Sequence, residues 1–101
     1  MTYTHRGFDW DDAKNVANQE KHGVSFEDAR ELFTSGAPYL ELFDHVHSDD
    51  EERLIAIGPT AHGLLVVVWT EREDDVLRLI SARLATKRER QMYVEQMEQA
   101  P

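Results

Sequence analysis

The sequence predicts an α+β domain in which two N-terminal helices and one C-terminal helix pack on a compact four-stranded antiparallel sheet. Apolar side chains recur with helical spacing up to residue 34, alternate with polar ones from residue 39 to 83, and return to helical spacing after residue 86. The turns between the predicted strands are short, and short connections require antiparallel neighbours. Because 101 residues form one core and not two, we expect a single domain over residues 1–101.

The N-terminal part predicts an extended segment followed by two helices. Residues 8–10 are extended, and an aspartate at position 11 or 12 can cap the first helix. Gly23 ends that helix, because glycine adopts the left-handed conformation of a C′ residue without strain. Ser25 begins a second helix with the spacing of a capping box, and the apolar stripe of this helix runs to about Thr34.

Alternation and turn residues divide the middle of the chain into strands. The predicted strands are Tyr39 to about Val46, Arg53–Gly58, Leu64–Glu71 and Val76–Arg83. The run "LLVVVW" is apolar on both faces, which is typical of a central strand with a helix layer on each side. After the sheet, Thr86 and Glu89 form the capping box "TKRE", which begins the last helix.

Hairpin geometry predicts where the charged strand residues lie. A turn at "PTAH" pairs Gly58 with Gly63 and brings Arg53 toward the far end of the third strand, close to Glu71. A turn at "ED" in the third hairpin places Arg83 near the opposite end. We therefore expect Arg53 and Glu71 to lie apart from Arg83, so that one compact site uses all three only if the strands twist strongly or the pairing is shifted.

Composition excludes several classes of site and partner. The sequence has no cysteine, which excludes disulfides, thiolate zinc sites and thiol nucleophiles and fits a reducing cytoplasm. It begins without an apolar signal segment, and its longest apolar run, Leu64–Trp69, is too short to span a bilayer. A formal net charge of -9 argues against unspecific nucleic-acid binding, so we expect nucleic acid only at a local basic patch.

Positive charge concentrates where the last strand meets the last helix. Arg83 ends the strand, and Lys87 and Arg90 follow at helical spacing, so the three cations can bind neighbouring RNA phosphates. The alternative is a solvated helix face on which Glu89 balances part of the charge. Arg83 is the stronger candidate, because the end of a strand beside a helix start holds an arginine more rigidly than the middle of a helix does.

Two further pairs have the chemistry of RNA cleavage. Lys21 and His22 end the first helix, where the helix dipole favours positive charge, and they can bind a phosphate and donate a proton. Arg53 and Glu71 supply a cation for the phosphorane and a base for the 2′-hydroxyl. Each pair also has a structural interpretation, since Lys21 and His22 suit a helix C-terminus and Arg53 with Glu71 can be an ordinary ion pair.

A metal site is the weakest candidate. His45 and His47 project from one strand face with Asp44 and Asp49 nearby, a ligand set that suits zinc or manganese. A polar loop at the end of a strand explains the same residues. We therefore predict no metal site, and the sequence also lacks a glycine-rich phosphate loop and a nucleophile elbow.

Four segments carry a resemblance to a known family. They are "FDWDDAKNVANQEKHGVSFEDARELF", "ERLIAIG", "LLVVVWTER" and "LRLISARLATKRERQMY", in this order and with similar spacing from Phe8 to about Tyr93. In these segments the chain resembles the BrnT family of type II toxins, within the RelE/ParE-like superfamily. The resemblance implies a RelE-like four-stranded sheet with packed helices and a cytoplasmic ribonuclease that inhibits translation without a metal or cofactor.

The resemblance also implies a partner. A BrnA-like antitoxin with a ribbon-helix-helix DNA-binding part would cover the toxin in a hetero-oligomer, so DNA is contacted only through the antitoxin. RNA-cleaving toxins of the superfamily are usually basic, whereas this chain is acidic. The alternative is therefore a non-enzymatic module that binds its partner and retains only the toxin fold.

The candidate site residues combine the basic patch with the positions that match the family's recurrent motif. As catalytic residues we predict Lys21, His22, Arg53, Glu71 and Arg83. As RNA-binding residues we predict Lys14, Lys87 and Arg90. Superfamily toxins place basic residues near the end of the fourth strand and the start of the third, which favours Arg83 and the neighbourhood of His62. The other matching positions are Trp10, Asn18, Arg78, Glu89 and Tyr93.

Overall fold

A computed structural model describes residues 7–46 and 51–99 of the chain. The strands in these residues are β1 (Gly7–Asp9), β2 (Leu40–Phe43), β3 (Leu54–Thr60), β4 (Gly63–Arg72) and β5 (Val76–Leu84). The helices are α1 (Asp12–His22), α2 (Phe26–Ala29), α3 (Glu31–Thr34) and α4 (Lys87–Gln99). None of these helices is long and apolar enough to cross a membrane. The predicted α+β class is confirmed.

The sheet has five strands, not the four that the sequence predicted. Its order is β1-β5-β4-β3-β2, and β1 pairs with β5 in parallel, whereas the other neighbours are antiparallel. The prediction of a purely antiparallel sheet was therefore wrong. Residues 8–10 were expected to be extended, but the strand Gly7–Asp9 is only three residues long and carries too little alternation to be recognised. Their pairing with Val76–Arg78 is a contact across most of the chain, which local patterning does not encode.

The helix boundaries follow the predicted caps. Asp11 accepts a hydrogen bond from the backbone of Lys14 (3.1 Å), and Gly23 ends α1 with φ 73°. Ser25 accepts one from the backbone of Asp28 (3.0 Å) and so begins α2. The predicted second helix is divided into α2 and α3 at Arg30, but it ends at Thr34 as expected.

The central strand β4 is covered on both faces, as the run "LLVVVW" predicted. On the face that we call the first face, Leu65, Val67 and Trp69 are buried beneath the helices α2 and α3, and Trp69 packs edge-on against Phe33 with ring centroids 5.6 Å apart. The opposite, second face carries a smaller cluster around Val66, against which α4 packs. The second face is therefore less completely covered than the first.

The first hairpin is shifted by two residues from the predicted register, and the second by one residue near its turn and by two beyond a β-bulge between Val68 and Trp69. Thr60 pairs with Gly63, so the turn is tighter than "PTAH", and Gly58 faces Leu65 instead of Gly63. In the next hairpin Arg83 faces Val66. A shift of two residues leaves every side chain on its predicted face, because the side-chain period of a strand is two. It moves Arg83 from the end of the sheet toward the middle of β4.

Candidate functional site

A cleft of about 500 Å³ opens on the second face, between the sheet and α4. Its floor is aliphatic, and charged groups stand around it. The aliphatic lining consists of Leu42, Val46, Ile55, Ile57, Val66, Val68, Ile80 and Met92. The polar lining consists of Asp44, Arg53, Ser81, Arg83 and Glu89. An apolar pocket with a few convergent polar groups is the usual form of a binding or active site.

The backbone beside Arg83 is fixed from the edge of the sheet. The side chain of Asn18, on α1, is 8% exposed and donates to the carbonyl oxygens of Ala82 (2.8 Å) and Val24 (2.9 Å). It also accepts a hydrogen bond from the backbone N–H of Ala82 (3.1 Å). Because β1 pairs only with Val76–Arg78, it has ended before Ala82. There the side chain of Asn18 forms the hydrogen bonds that a neighbouring strand would otherwise form.

Arg83 and Glu89 form a bidentate ion pair at the start of α4. Nη1 and Nη2 of Arg83 donate to the two carboxylate oxygens of Glu89 at 2.7 and 2.8 Å. The predicted capping box is confirmed, because the backbone N–H of Thr86 donates to Glu89 (2.9 Å) and that of Glu89 donates to Thr86 Oγ1 (3.2 Å). The hydrogen bonds from Arg83 lower the pKa of Glu89 to about 2, and those to Glu89 raise the pKa of Arg83.

Arg53 lines the same cleft as Arg83, which corrects the prediction that the two lie too far apart for one site. Arg53 precedes β3, and its carbonyl oxygen accepts a hydrogen bond from the backbone of Asp44 (2.9 Å). Its Nε lies 4.0 Å from a carboxylate oxygen of Glu51. The prediction failed because it underestimated the length of the cleft, and not because of the register: Arg53 precedes Leu54, which faces Trp69, and Arg83 faces Val66, so the two arginines are about four positions apart along β4, as predicted, and one cleft spans that distance.

The other predicted catalytic residues do not line this cleft. Glu71 lines a separate, acidic hollow with Glu51 and Glu52. Lys21 and His22 end α1, which lies along the edge of β5 through Asn18, and neither residue lines the cleft. The structure therefore unites two of the five predicted catalytic residues, Arg53 and Arg83.

The predicted RNA-binding residues fall on two different helices. Lys87 and Arg90 are exposed on the first turn of α4, next to Glu89, and Arg90 Nη1 lies 3.5 Å from the carbonyl oxygen of Ala85. Lys14 is exposed on α1, away from the cleft. His62 is also distant from the cleft, since it lies in the turn between β3 and β4 with its Nε2 3.1 Å from a carboxylate oxygen of Asp28. Lys87 and Arg90 thus extend the basic side of the cleft.

Sequence patterning missed Asp44 as a residue of this site. Asp44 is 8% exposed and lines the cleft, although it was considered only as a metal ligand. Its signal was the spacing of Leu40, Leu42 and Asp44 at every second residue, which places all three on one face of β2 and its continuation. Within residues 7–46 and 51–99 no three His, Asp or Glu side chains are close enough to hold a metal, and His47 and Asp49 lie outside those ranges.

Comparisons with known proteins agree with this fold. Residues 10–89 match the family model for the ribonuclease toxin BrnT of type II toxin-antitoxin systems. The 1.1 Å crystal structure of the Brucella abortus ribonuclease toxin BrnT aligns with a TM-score of 0.60 and 29% sequence identity, covering 83% of this chain and all (100%) of that one. No curated protein sequence matches the chain.

The family match spans every residue of the cleft apart from Met92. A type II toxin family also implies an antitoxin partner. Since the match covers residues 10–89, well over half of the chain, the chain belongs to the BrnT family of ribonuclease toxins from type II toxin-antitoxin systems.

Proposed function

We propose that this chain is a metal-independent endoribonuclease whose cleft binds the RNA backbone through Arg53 and Arg83. The observation that carries the proposal is that both arginines, from either side of β4, line one cleft of a BrnT-family chain. Arginine presents several donors to phosphate oxygens and keeps its charge at any physiological pH. Two such groups are suited to the crowded, doubly charged phosphorane of RNA cleavage.

Cleavage through the 2′-hydroxyl needs a group that accepts its proton before the oxygen attacks phosphorus and the 5′-oxygen leaves. Two carboxylates line the cleft, Asp44 and Glu89. Because hydrogen bonds hold the pKa of Glu89 at about 2, Glu89 is a poor base at neutral pH. We assign proton acceptance to Asp44, whose backbone is bonded to that of Arg53. The catalytic roles of Lys21, His22 and Glu71 stay predictions from the resemblance.

The basic side of the cleft supports RNA binding despite the net charge of -9. Lys87, Arg88 and Arg90 all lie on the first turn of α4, where the unpaired backbone N–H groups add positive potential. Glu89 is the acidic residue among them, and its charge is offset by Arg83. Attraction between RNA phosphates and this helix start can therefore exceed the repulsion between RNA and the more distant acidic residues. Salt at about 0.1 M screens interactions beyond about 10 Å.

The partner we propose is a BrnA-like antitoxin with a ribbon-helix-helix DNA-binding part. The free toxin would inhibit translation by cleaving RNA in the cytoplasm, and the antitoxin would neutralise it in a hetero-oligomer. Family membership supports an antitoxin, and the resemblance supports its BrnA-like type. Contact with DNA would then occur only through the antitoxin.

A second candidate is a partner-binding module without nuclease activity. The acidity of the chain favours it, together with the ion pair that already occupies one edge of Arg83. Such a module would retain the fold and its antitoxin, but it would not cleave RNA. One cleavage assay separates the two candidates.

The assay uses purified protein and single-stranded RNA in excess chelator. We expect the wild type to cleave, and Arg83→Ala and Arg53→Ala to lose at least about tenfold in kcat/KM, which corresponds to about 1.4 kcal/mol of transition-state stabilisation. Arg78→Ala is the matched control for Arg83, because Arg78 is also on β5 and also paired with a carboxylate, that of Asp9. Arg72→Ala is the control for Arg53, since it shares Glu51.

The wild-type result in chelator decides between the candidates. Absence of cleavage there would leave the partner-binding module. Loss of activity in Arg78→Ala and Arg72→Ala as large as in the cleft variants would show that the cleft is not the site. Thermal unfolding of each variant identifies losses that arise from misfolding.

A further inference from the structure

We propose that Glu89 is a positioning residue, which holds the guanidinium of Arg83 so that its Nε and Nη2 edge faces an RNA phosphate. This inference rests on the proposed ribonuclease function and deepens it. It assigns Glu89 a role that acts entirely through Arg83. The pair would be part of the catalytic cleft and not only a cap for α4.

The hydrogen-bonding groups of Arg83 are divided between two edges. Nη1 and Nη2 each use one hydrogen for Glu89, and the second hydrogen of Nη1 is directed to the carbonyl oxygen of Leu84 (3.3 Å). A guanidinium has five N–H groups in a fixed plane. The remaining two, Nε–H and the second Nη2–H, are parallel to each other and have no acceptor among residues 7–46 and 51–99.

The remaining edge has the geometry for a phosphate. Two parallel N–H groups form the fork that binds two oxygens of a phosphate or carboxylate at once. Arg83 lines the cleft and its side chain is 39% exposed, so an RNA phosphate can reach this edge without displacing Glu89. Glu89 occupies one fork and thereby orients the other.

Arg83 is fixed at both ends. Its guanidinium is held by Glu89, whose orientation is fixed by the backbone of Thr86 (2.9 Å). Its backbone follows Ala82, which Asn18 clamps from the edge of the sheet. A long side chain that is anchored in this way loses little conformational freedom when it binds a ligand.

The alternative roles of Glu89 fit the structure less well. A general base needs a free carboxylate oxygen and a pKa near the working pH, whereas both oxygens of Glu89 accept hydrogen bonds and its pKa is lowered to about 2. A helix cap alone needs only the bond to Thr86. It does not require a bidentate contact with an arginine in the cleft.

A double-mutant cycle tests the inference. Wild type, Glu89→Gln, Arg83→Ala and the double variant are compared for kcat/KM on a single-stranded RNA oligonucleotide in chelator, and for affinity to its non-cleavable 2′-deoxy counterpart. We expect Glu89→Gln to lower kcat/KM about tenfold or more and to weaken binding. In the Arg83→Ala background the same change should have no further effect, because Glu89 would have nothing left to position.

Thr86→Ala is the control for the capping role. It removes the acceptor of the Glu89 backbone N–H and leaves the contact with Arg83 in place. We expect it to lower the melting temperature about as much as Glu89→Gln does, and to change kcat/KM less than twofold. The pH profile of Glu89→Gln should keep the wild-type shape, since a lost base would remove its acidic limb.

Each other outcome overturns the inference. An equal loss in the Arg83→Ala background, no loss beyond that of Thr86→Ala, or higher activity in Glu89→Gln would each show that Glu89 does not position Arg83. A wild type that never cleaves RNA would overturn the proposed function instead. In that case binding of the 2′-deoxy oligonucleotide decides the inference. Weaker binding in Glu89→Gln, with Arg83 present, would support it, and unchanged binding would overturn it.

Discussion

Arg83 on β5 faces Val66 on β4. Four positions further along β4, the hydroxyl of Thr70 donates to the carbonyl oxygen of Glu52, the residue next to Arg53 (2.6 Å). The two arginines therefore approach the second face from strands on either side of β4. Aliphatic side chains form the floor of the cleft between them. Charged groups at the edge of such a floor interact more strongly with a bound phosphate than they would in open solvent.

The Asn18 clamp predicts a large loss of stability on its removal. Asn18→Ala leaves buried backbone groups of Val24 and Ala82 without their hydrogen-bond partner. Each unsatisfied group destabilises the fold by about 1–3 kcal/mol. We expect the free energy of unfolding to fall by about 2–4 kcal/mol, since relaxation and water recover part of the cost. Urea denaturation of the wild type and the variant measures this difference in the free energy of unfolding. Gln19→Ala, at an exposed position of the same helix, should cost little. A loss within 0.5 kcal/mol of that control, roughly the spread of surface changes, would contradict the clamp.

Close contact around Gly58 predicts that even alanine is not tolerated there. A Cβ at this position would lie 2.7 Å from Cβ of Tyr39 and 3.2 Å from Cγ of Leu32, and neither atom is at the free end of a flexible chain. Overpacking of this kind costs about 1–3 kcal/mol. Gly7→Ala is the control, because a Cβ there has no atom within 4 Å. Equal melting temperatures for the two variants would disprove the close packing of β3 against α3.

The Arg83–Glu89 pair predicts a pH dependence of stability. The folded pKa of Glu89, about 2, lies below its ordinary value of 4.5, so the folded state favours the charged carboxylate. Its contribution to stability is fully present above pH 4.5 and is lost as the pH falls toward 2. The difference in free energy of unfolding between wild type and Glu89→Gln should therefore be constant from pH 7 to 5 and shrink below 4.5. A difference that persists unchanged to pH 2 would show that Glu89 stabilises the fold without its charge.

Local signals in the sequence predicted the elements of this fold well. Gly23, Ser25 and the Thr86–Glu89 box each fix a helix end through atoms within four residues, and all three are confirmed. The parallel pairing of β1 was not predictable in the same way, because it depends on a contact with β5 some seventy residues away. Local periodicity therefore identifies elements, whereas their pairing requires knowledge of the whole core.

The candidate site was predictable only in part, for a related reason. Arg53 and Arg83 were recognised by residue type and by the resemblance, but their place in one cleft depends on the open space that the packing of α4 leaves on the second face of the sheet. Asp44 was missed because a buried carboxylate is recognised by its surroundings, which the sequence does not contain.

The basic start of α4 predicts a salt-dependent contribution to RNA binding. Each phosphate contact on single-stranded RNA changes the slope of log K against log salt by about 0.7. Lys87→Ala and Arg90→Ala should each weaken binding regardless of base sequence and reduce this slope by about that amount. Arg30→Ala is the control, since Arg30 is exposed on the first face, stacked over Trp10. The slope is obtained from the affinity for RNA at several salt concentrations. A change of the slope in Arg30→Ala as large as in Lys87→Ala and Arg90→Ala would indicate a general charge effect.

The assignment of the proton acceptor predicts a difference between two acidic residues. Asp44→Asn keeps the shape of the side chain and removes its basicity, so kcat should fall about 100-fold or more while binding of a 2′-deoxy oligonucleotide stays close to wild type. Glu71→Gln, in the separate acidic hollow, should retain most of the activity if the cleft alone performs the chemistry. His22→Gln tests the remaining possibility, because His22 ends α1, which lies along the edge of β5, and does not line the cleft. If kcat collapses in His22→Gln or Glu71→Gln but not in Asp44→Asn, the reaction does not take place in the cleft.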